Sequence, residues 1–253
     1  MIDKMRRVVG LWDVHCPENI KLDGIYKFLK DFEPTHLILG GDFLHLEPIR
    51  DLSKAGGFDV KSMEFTRAVE GLEGDFTASN SILDKLDESC PPDCTKVFIE
   101  GNHEFWLRQI MDRAPGIKTI FDPALNLRLK ERGYKWIEQN KVYNVGRSYF
   151  LHGHYTNKYH SFKHLSAYQR NIFYGHCHTH QVFTVTSPLD SDPKTAVSVP
   201  CLCHRNADYM RGRPNAWNHG FLVIYSCPST NHFFPYVVTI IKNHFVAPNG
   251  VYY

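Results

Sequence analysis

Apolar residues in the first part of the chain form short continuous runs separated by a stretch with helical spacing. Arg6–Trp12 is an apolar run that ends in polar residues, which predicts a buried strand followed by a loop. Ile20–Leu29 has apolar side chains at near-helical intervals and is followed by Pro34, which predicts a helix. Thr35–Leu39 is a second apolar run, ending in two glycines. Strand, helix and strand in this order predict an α/β sheet with parallel neighbours.

The pattern then becomes mainly helical before it becomes mainly strand-like. Glu47–Cys94 is mostly helix-like, Val97–Ile99 predicts a third strand, and we expect helices at Phe105–Met111 and Ala124–Glu131. Short β-branched and aromatic runs between turn residues predict further strands at Val142–Val145, Ser148–Leu151, Ile172–Tyr174, Gln181–Thr186, Ala196–Val199 and Phe221–Tyr225. The sequence shows no linker, repeat or low-complexity tract, so we expect one domain over residues 1–253.

Polar clusters follow five of these predicted strands. They are Asp13-Val14-His15, Gly41-Asp42, Gly101-Asn102-His103-Glu104, His152-Gly153-His154 and Gly175-His176-Cys177-His178. Each cluster alone is common in turns and at strand ends. Side chains at the ends of neighbouring strands converge in space, so we expect the five clusters to form one site.

The clusters contain ligands suited to two divalent cations. Asp13 and His15 are two residues apart, as are His176 and His178, so each pair can reach one cation from the same side of an extended chain. Asp42 follows two glycines, and its carboxylate can bridge two ions. Nitrogen and oxygen ligands without a thiolate favour manganese, iron, zinc or nickel over calcium or magnesium. A pair of metal ions can activate hydroxide for attack on a phosphate ester.

Charge, apolar segments and cysteine content say little about the substrate and more about the location of the protein. The chain has 253 residues and a formal charge of +2, so no overall positive field indicates a nucleic-acid-binding protein. No apolar stretch has the length of a signal peptide or a membrane span. Seven cysteines without an export signal predict free thiols, and we expect a cytoplasmic protein.

The five clusters resemble those of the calcineurin-like metallophosphoesterase superfamily, whose order is D-x-H, G-D, G-N-H-D/E, H and G-H-x-H. The resemblance extends from Asp13 to His178, and it implies an α/β fold of two packed mixed β-sheets flanked by helices. By position, the resemblance implies that one metal ion is bound by Asp13, His15 and His178, a second by Asn102, His152 and His176, and both by Asp42.

The resemblance also implies roles for two histidines that are not ligands. His103 matches the family histidine that faces the substrate and assists the leaving group, a task suited to a side chain whose pKa lies near working pH. Alternatively, His103 only hydrogen-bonds a ligand. Glu104 is expected at a helix N-terminus. His45 replaces the second aspartate of the common G-D-x-x-D motif, and it resembles a histidine of the DNA-repair nuclease branch. A solvent-facing loop histidine is the other interpretation.

Two aromatic and basic stretches are candidates for substrate binding. Residues 155–170 begin with Tyr155 and interleave aromatic and cationic side chains, which could stack bases and bind phosphates or could form an amphipathic helix. A second stretch carries Arg205, Arg211 and Arg213 with Tyr209 and Trp217, and it resembles small metallophosphoesterases encoded by phages and bacteria. We expect this stretch to lie near the metals, because the strand before it at Ala196–Val199 belongs to the same sheet. Arginine there would bind a phosphate with two hydrogen bonds. Tyr155, Arg205 and Arg211 are therefore our candidate substrate-binding residues.

These features together predict a hydrolase with two divalent metal ions, manganese being the expected metal. We expect a phosphodiesterase that acts on nucleic acid or nucleotides through a hydroxide bridging the two ions. A phosphomonoesterase with the same ligands, a dedicated DNA or RNA nuclease and a non-enzymatic scaffold are the alternatives. A scaffold predicts damaged ligand positions, whereas every matched position here has a competent side chain.

Overall fold

The computed structural model describes residues 4–54, 59, 61–206, 210 and 212–253. Its strands are β1 (Arg6–Leu11), β2 (His36–Leu39), β3 (Thr95–Ile99), β4 (Tyr134–Ile137), β5 (Tyr143–Val145), β6 (Ser148–Phe150), β7 (Asn171–Tyr174), β8 (Gln181–Ser187), β9 (Asp190–Ser198), β10 (His219–Ser226) and β11 (Phe233–Ile240). Its α-helices are α1 (Asp23–Phe32), α2 (Glu47–Lys54), α3 (Met63–Ser89), α4 (Asn102–Arg113), α5 (Lys118–Phe121), α6 (Pro123–Asn126) and α7 (His160–Tyr168). A short 3₁₀ helix covers Pro115–Ile117.

The strands form two mixed sheets. The first sheet has the order β11-β10-β1-β2-β3-β4, in which β1 to β4 are parallel and β10 and β11 are antiparallel additions. The second has the order β5-β6-β7-β9-β8, with β6, β7 and β9 parallel. This arrangement confirms the expected fold class of two mixed sheets flanked by helices.

Alternation of side chains along the strands produces the layers. Val8 packs with Phe150 and Phe173 in a core between the two sheets, whereas its neighbour Val9 belongs to the core on the opposite, helix-covered face of the first sheet. Leu165 of α7 packs with Ile172 on the outer face of the second sheet. The order of layers is therefore helices, sheet, sheet, helix.

Most of the predicted elements are present, with two kinds of correction. The helix expected at Ala124–Glu131 is wrong beyond α6, because α6 ends at Asn126 and turns follow. Leu125, Leu127 and Leu129 are spaced by two residues, which does not suit a helical stripe. Strands β4 and β11 were not predicted. Strand β11 contains Pro235, which lacks an N–H, and the sheet tolerates this proline because β11 is an edge strand.

The described part of the chain contains no helix long and apolar enough to cross a membrane. The polar clusters follow β1, β2 and β3 in the first sheet and β6 and β7 in the second, as the sequence predicts. Within each sheet these strands run parallel to one another, so their carboxyl ends share one edge of the sheet.

Candidate metal centre

The loops that follow the five strands meet at one edge of the two packed sheets. All seven predicted ligands lie there, and all but Asn102 and His176 are buried: Asp13, His15, Asp42, Asn102, His152, His176 and His178. Trp12, immediately before the first of them, is fully buried between the sheets, and its indole N–H donates to the carbonyl oxygen of Leu151 at 3.0 Å. That bond joins the end of β1 to the end of β6, and so joins the two halves of the site.

The backbone of these loops adopts conformations that side-chain-bearing residues rarely use. Five predicted ligands have positive φ angles between 49° and 66°: Asp13, His15, Asp42, His176 and His178. Strain of this kind costs about 1–3 kcal/mol per residue and concentrates at functional sites. Gly101 has no such angle, but a Cβ there would lie 2.2 Å from Asp42 Oδ1, so only glycine permits this approach.

Four of the predicted ligands form a first set of metal-binding atoms. The Nε2 atoms of His15 and His178 are 3.3 Å apart, and His178 Nε2 lies 3.5 Å from Asp13 Oδ1. Asp42 Oδ2 lies 3.9 Å from His15 Nε2. Asp13, His15, His178 and Asp42 therefore present converging donor atoms.

A second donor set lies on the other side of Asp42. His152 Nε2 is 3.2 Å from Asp42 Oδ2 and 3.1 Å from Asn102 Oδ1. One donor atom each from Asp42, His152 and His176 lies within 4.8 Å of the other two. His152 Nδ1 donates to the carbonyl oxygen of Gly40 at 3.1 Å, so Nε2 is the ring atom that faces the other donors. Asp42 thus belongs to both sets.

The donor atoms of the first set fit a divalent cation. Asp13 Oδ1 and His15 Nδ1 are buried and have no hydrogen-bond partner among the described residues. Two nitrogens bound at about 2.1 Å to one tetrahedral ion lie roughly 3.4 Å apart, which matches the separation of the His15 and His178 nitrogens. A cation beside these two nitrogens and Asp13 Oδ1 would give that buried, unpartnered oxygen a partner, whereas His15 Nδ1 faces away from the set.

Electrostatics in the centre follow from burial and the single shared carboxylate. Although burial acts in the opposite direction, the neighbouring imidazoles, His152 first, hold the pKa of Asp42 well below its usual value. Burial lowers the pKa of His152, but the Asp42 carboxylate outweighs it and raises that pKa to about 9. Burial lowers the pKa of His176 to about 4, which keeps this imidazole neutral and able to bind a cation at neutral pH.

Glu104 joins two of the ligand-bearing loops. Its Oε1 accepts from the backbone N–H groups of Phe43 at 2.8 Å and Leu44 at 2.9 Å. Its Oε2 accepts from Asp42 N–H at 3.1 Å and Gly101 N–H at 2.9 Å. Burial and the Asp42 charge raise the pKa of Glu104 to about 7, while the N–H donors act in the opposite direction. Its expected place at a helix N-terminus is confirmed, and it also fixes the loop that carries Asp42.

The two candidate catalytic histidines lie beside the donor sets. His103 Nε2 is 3.9 Å from Asp42 Oδ2, and its Nδ1 donates to the carbonyl oxygen of His45. Trp106, one turn further along α4, stacks on the His103 ring with centroids 4.1 Å apart. His45 is buried rather than solvent-facing, and its Nε2 lies 3.4 Å from Glu47 Oε2.

A cleft of about 260 Å³ opens over this centre. Beside predicted ligands, His45 and His103, it is lined by Trp217, which belongs to the second aromatic and basic stretch of the sequence analysis. It is also lined by Glu47, Arg50 and Trp106, which the sequence analysis did not assign to the site. Tyr155 and Arg205 are not among its lining residues. Arg205 lines a separate cavity with Arg213, and Arg211 lies outside the described residues. The structure therefore brings the metal ligands and both candidate catalytic histidines together, but does not bring Tyr155 or Arg205 to the cleft.

A cysteine also contacts the centre. Cys203 follows β9, which is parallel to β7, and its Sγ lies 3.7 Å from Nδ1 of His178. Cys201 and Cys203 are both buried and are free thiols. Cys203 lies five residues beyond the end of β9, so the pattern of polar residues directly after strands did not mark it.

Comparison of the sequence with models of protein families finds no match, and comparison with curated proteins finds none either. The fold matches that of Vacuolar Protein Sorting 29 from Cryptosporidium parvum over 96% of this chain and 95% of that chain, with 13% identity and a TM-score of 0.51. Vps29 from Entamoeba histolytica complexed with Zn²⁺ matches over 94% of this chain and 95% of that chain, at 11% identity and a TM-score of 0.49. A conserved protein from Streptococcus pneumoniae described as a predicted phosphoesterase matches over 92% of this chain and 99% of that chain, at 10% identity and a TM-score of 0.32.

Proposed function

We propose that this protein, which has the metallophosphoesterase fold, is a metal-dependent phosphoesterase whose centre binds two divalent cations. The observation that carries the proposal is the pair of donor sets that share the Asp42 carboxylate. One ion would be bound by Asp13, His15 and His178, the other by Asn102, His152 and His176, and both by Asp42. When bound, two such ions supply Lewis-acid chemistry, withdrawing charge from a phosphoryl group and lowering the pKa of water.

The proton for the leaving group comes from His103 in this proposal. The Nδ1–H of His103 is committed to the His45 carbonyl oxygen, so Nε2 is the atom from which the protonated ring can donate. Stacking on Trp106 keeps the imidazole plane in one orientation beside Asp42. His45, held 3.4 Å from the Glu47 carboxylate, lines the same cleft and contacts the phosphate of the substrate.

The proposed substrate is a phosphodiester of a nucleotide or of nucleic acid. Trp106 lines the cleft beside His103. Trp217 lines it beside His178, and the centroids of the Trp217 and His178 rings are 4.2 Å apart. Indoles offer faces on which nucleobases stack, at about 1–3 kcal/mol per base. A cleft of about 260 Å³ is below the range of roughly 300–1,000 Å³ usual for larger ligands, so it suits one nucleoside unit and not a duplex.

Manganese is our proposal for the metal, with iron, zinc or nickel as the alternatives that the same ligands accept. Imidazole nitrogens together with carboxylate and amide oxygens suit these metals, whereas calcium and magnesium prefer oxygen alone. Metal analysis of the purified protein decides among them.

Hydrolysis of bis-p-nitrophenyl phosphate and p-nitrophenyl phosphate with added manganese tests the proposal. We expect faster turnover of the diester, and Asp42→Asn removes both the activity and the bound metal. Asp112→Asn, on the exposed face of α4, serves as the matched control. Faster turnover of the monoester would make the protein a phosphatase. Hydrolysis that survives both Asp42→Asn and a chelator would exclude this centre as the source of activity.

A further inference from the structure

A second cavity, of about 610 Å³, adjoins the metal centre at His176. We call it the side cavity; its polar lining includes Asn157, Lys158, Thr179, His180 and Asn218. His176 lines both the side cavity and the cleft, and among described residues it alone does so. A group bound at the metal centre is therefore close to two cavities, the cleft and the side cavity.

The two cavities differ in charge. The cleft contains the carboxylates of Asp42 and Glu47, whereas no carboxylate is among the described residues that line the side cavity. Lys158 is exposed there, and its ammonium forms no ion pair with a described carboxylate. The Lys158 ammonium lies over the Tyr159 ring, 5.4 Å from the ring centroid. The charge of Lys158 is therefore available to an anion.

Hydrogen bonds fix the walls of the side cavity. Gln181 Nε2 donates to the carbonyl oxygen of Lys158 at 2.9 Å, and Gln181 Oε1 accepts from Ser161 N–H at 2.9 Å. His180 N–H donates to Asn218 Oδ1 at 2.9 Å. The backbone of Lys158 is thus tied to the start of β8, and its side chain extends from a fixed point.

We propose that the side cavity binds the second arm of a phosphodiester and that Lys158 contacts a further phosphate on that arm. The inference rests on the proposed function, because a diester has two arms and two cavities lie close to the metal centre. The uncharged, partly aromatic arm occupies the cleft between Trp106 and Trp217. The second arm is a phosphate-bearing sugar, as in the adjacent nucleotide of a short single strand.

Two p-nitrophenyl esters distinguish the arms. One is thymidine 5′-(p-nitrophenyl phosphate), and the other carries an additional 3′-phosphate; release of p-nitrophenolate by the manganese-loaded full chain is measured for each. We expect a KM about tenfold lower for the 3′-phosphorylated ester, because one charge-assisted contact is gained, with a smaller change in kcat. The preference should shrink as salt is raised.

Two lysine variants locate the contact. Lys158→Ala should abolish the preference, whereas Lys163→Ala should retain it. Lys163 is a matched control because it is also exposed and also lies over a tyrosine ring, 4.5 Å from the Tyr155 centroid, but it does not line the side cavity. Equal KM values for the two esters, or an equal preference in Lys158→Ala, would overturn the inference.

Binding without turnover separates this inference from the proposed function. Equilibrium dialysis of thymidine 3′,5′-bisphosphate and thymidine 5′-monophosphate against the manganese-loaded chain should give the same tenfold difference, lost in Lys158→Ala. If neither ester is hydrolysed but this difference appears, the proposed function fails and the phosphate site stands. If both esters are hydrolysed alike and no difference in binding appears, the proposed function stands and the side cavity does not bind phosphate.

Discussion

Replacing Glu104 by glutamine should destabilise the protein severely, although the change removes only a charge. The two carboxylate oxygens of Glu104 accept four backbone N–H groups from residues 42, 43, 44 and 101, at 2.8–3.1 Å. Glutamine has one acceptor oxygen and one NH₂ group, so either orientation of its amide leaves two of these N–H groups without an acceptor and facing another donor.

The magnitude follows from the count of lost acceptors. Each buried donor left unsatisfied costs about 1–3 kcal/mol, so two such donors cost about 2–6 kcal/mol. Glu104 is fully buried, and water cannot replace the missing acceptor without opening the loop. Because natural domains have unfolding free energies of about 5–15 kcal/mol, this loss is a large share of the total.

Urea unfolding followed by tryptophan fluorescence measures the loss. The experiment is run at pH 8, above the raised pKa of about 7, so that the wild-type carboxylate is ionised. Glu70→Gln on the exposed face of α3 controls for the loss of one negative charge. The variant should also bind metal more weakly, since the loop carrying Asp42 loses its anchor. An unfolding free energy within about 0.5 kcal/mol of wild type would refute this account of Glu104.

Three further predictions address the centre and its surroundings. His103→Ala should retain metal but slow turnover by about 10²–10⁴, most for poor leaving groups; full activity on a poor leaving group would remove the acid role. Cys203→Val should weaken metal binding by about 10–100-fold through loss of its contact with His178, whereas Cys94→Ser should bind normally in the same calorimetric titration. Burial raises the pKa of the Asp75 carboxyl group from 3.8 to about 6, so the folded protein binds this proton more tightly than the unfolded chain does. The free energy of unfolding should therefore fall by about 2–3 kcal/mol as pH rises from 4 to 6. Asp75→Asn should remove that slope from pH-dependent unfolding curves, and an unchanged slope would assign it to another group.

Local sequence pattern contains the information that places the ligands. A polar residue directly after a short apolar run marks the end of a buried strand, and parallel strands bring such ends together. Asp13, Asp42 and Asn102 could therefore be assigned to one site from the sequence. The fold class followed from the same pattern and from the resemblance in the order of motifs.

The walls of the cleft could not be assigned in this way. Trp217 belongs to a stretch expected near the metals, but Trp106 comes from α4, and its approach to the cleft depends on how that helix packs, which no local pattern encodes. Tyr155 and Arg205 were expected to bind substrate but do not line the cleft. Their sequence surroundings indicate exposure and charge, but not the direction in which an exposed side chain points. Strand β11 could not be predicted because it contains Pro235. A proline is tolerated in an edge strand, and the sequence does not show which strands lie at an edge.

The central claim is that one cluster of side chains binds two cations with Asp42 between them. Anomalous difference maps from crystals grown with manganese test it most directly. The account predicts two peaks per chain, one beside His15 and His178 and one beside His152 and His176, with both lost in Asp42→Asn. A single peak, or two peaks that persist without the Asp42 carboxylate, would contradict it.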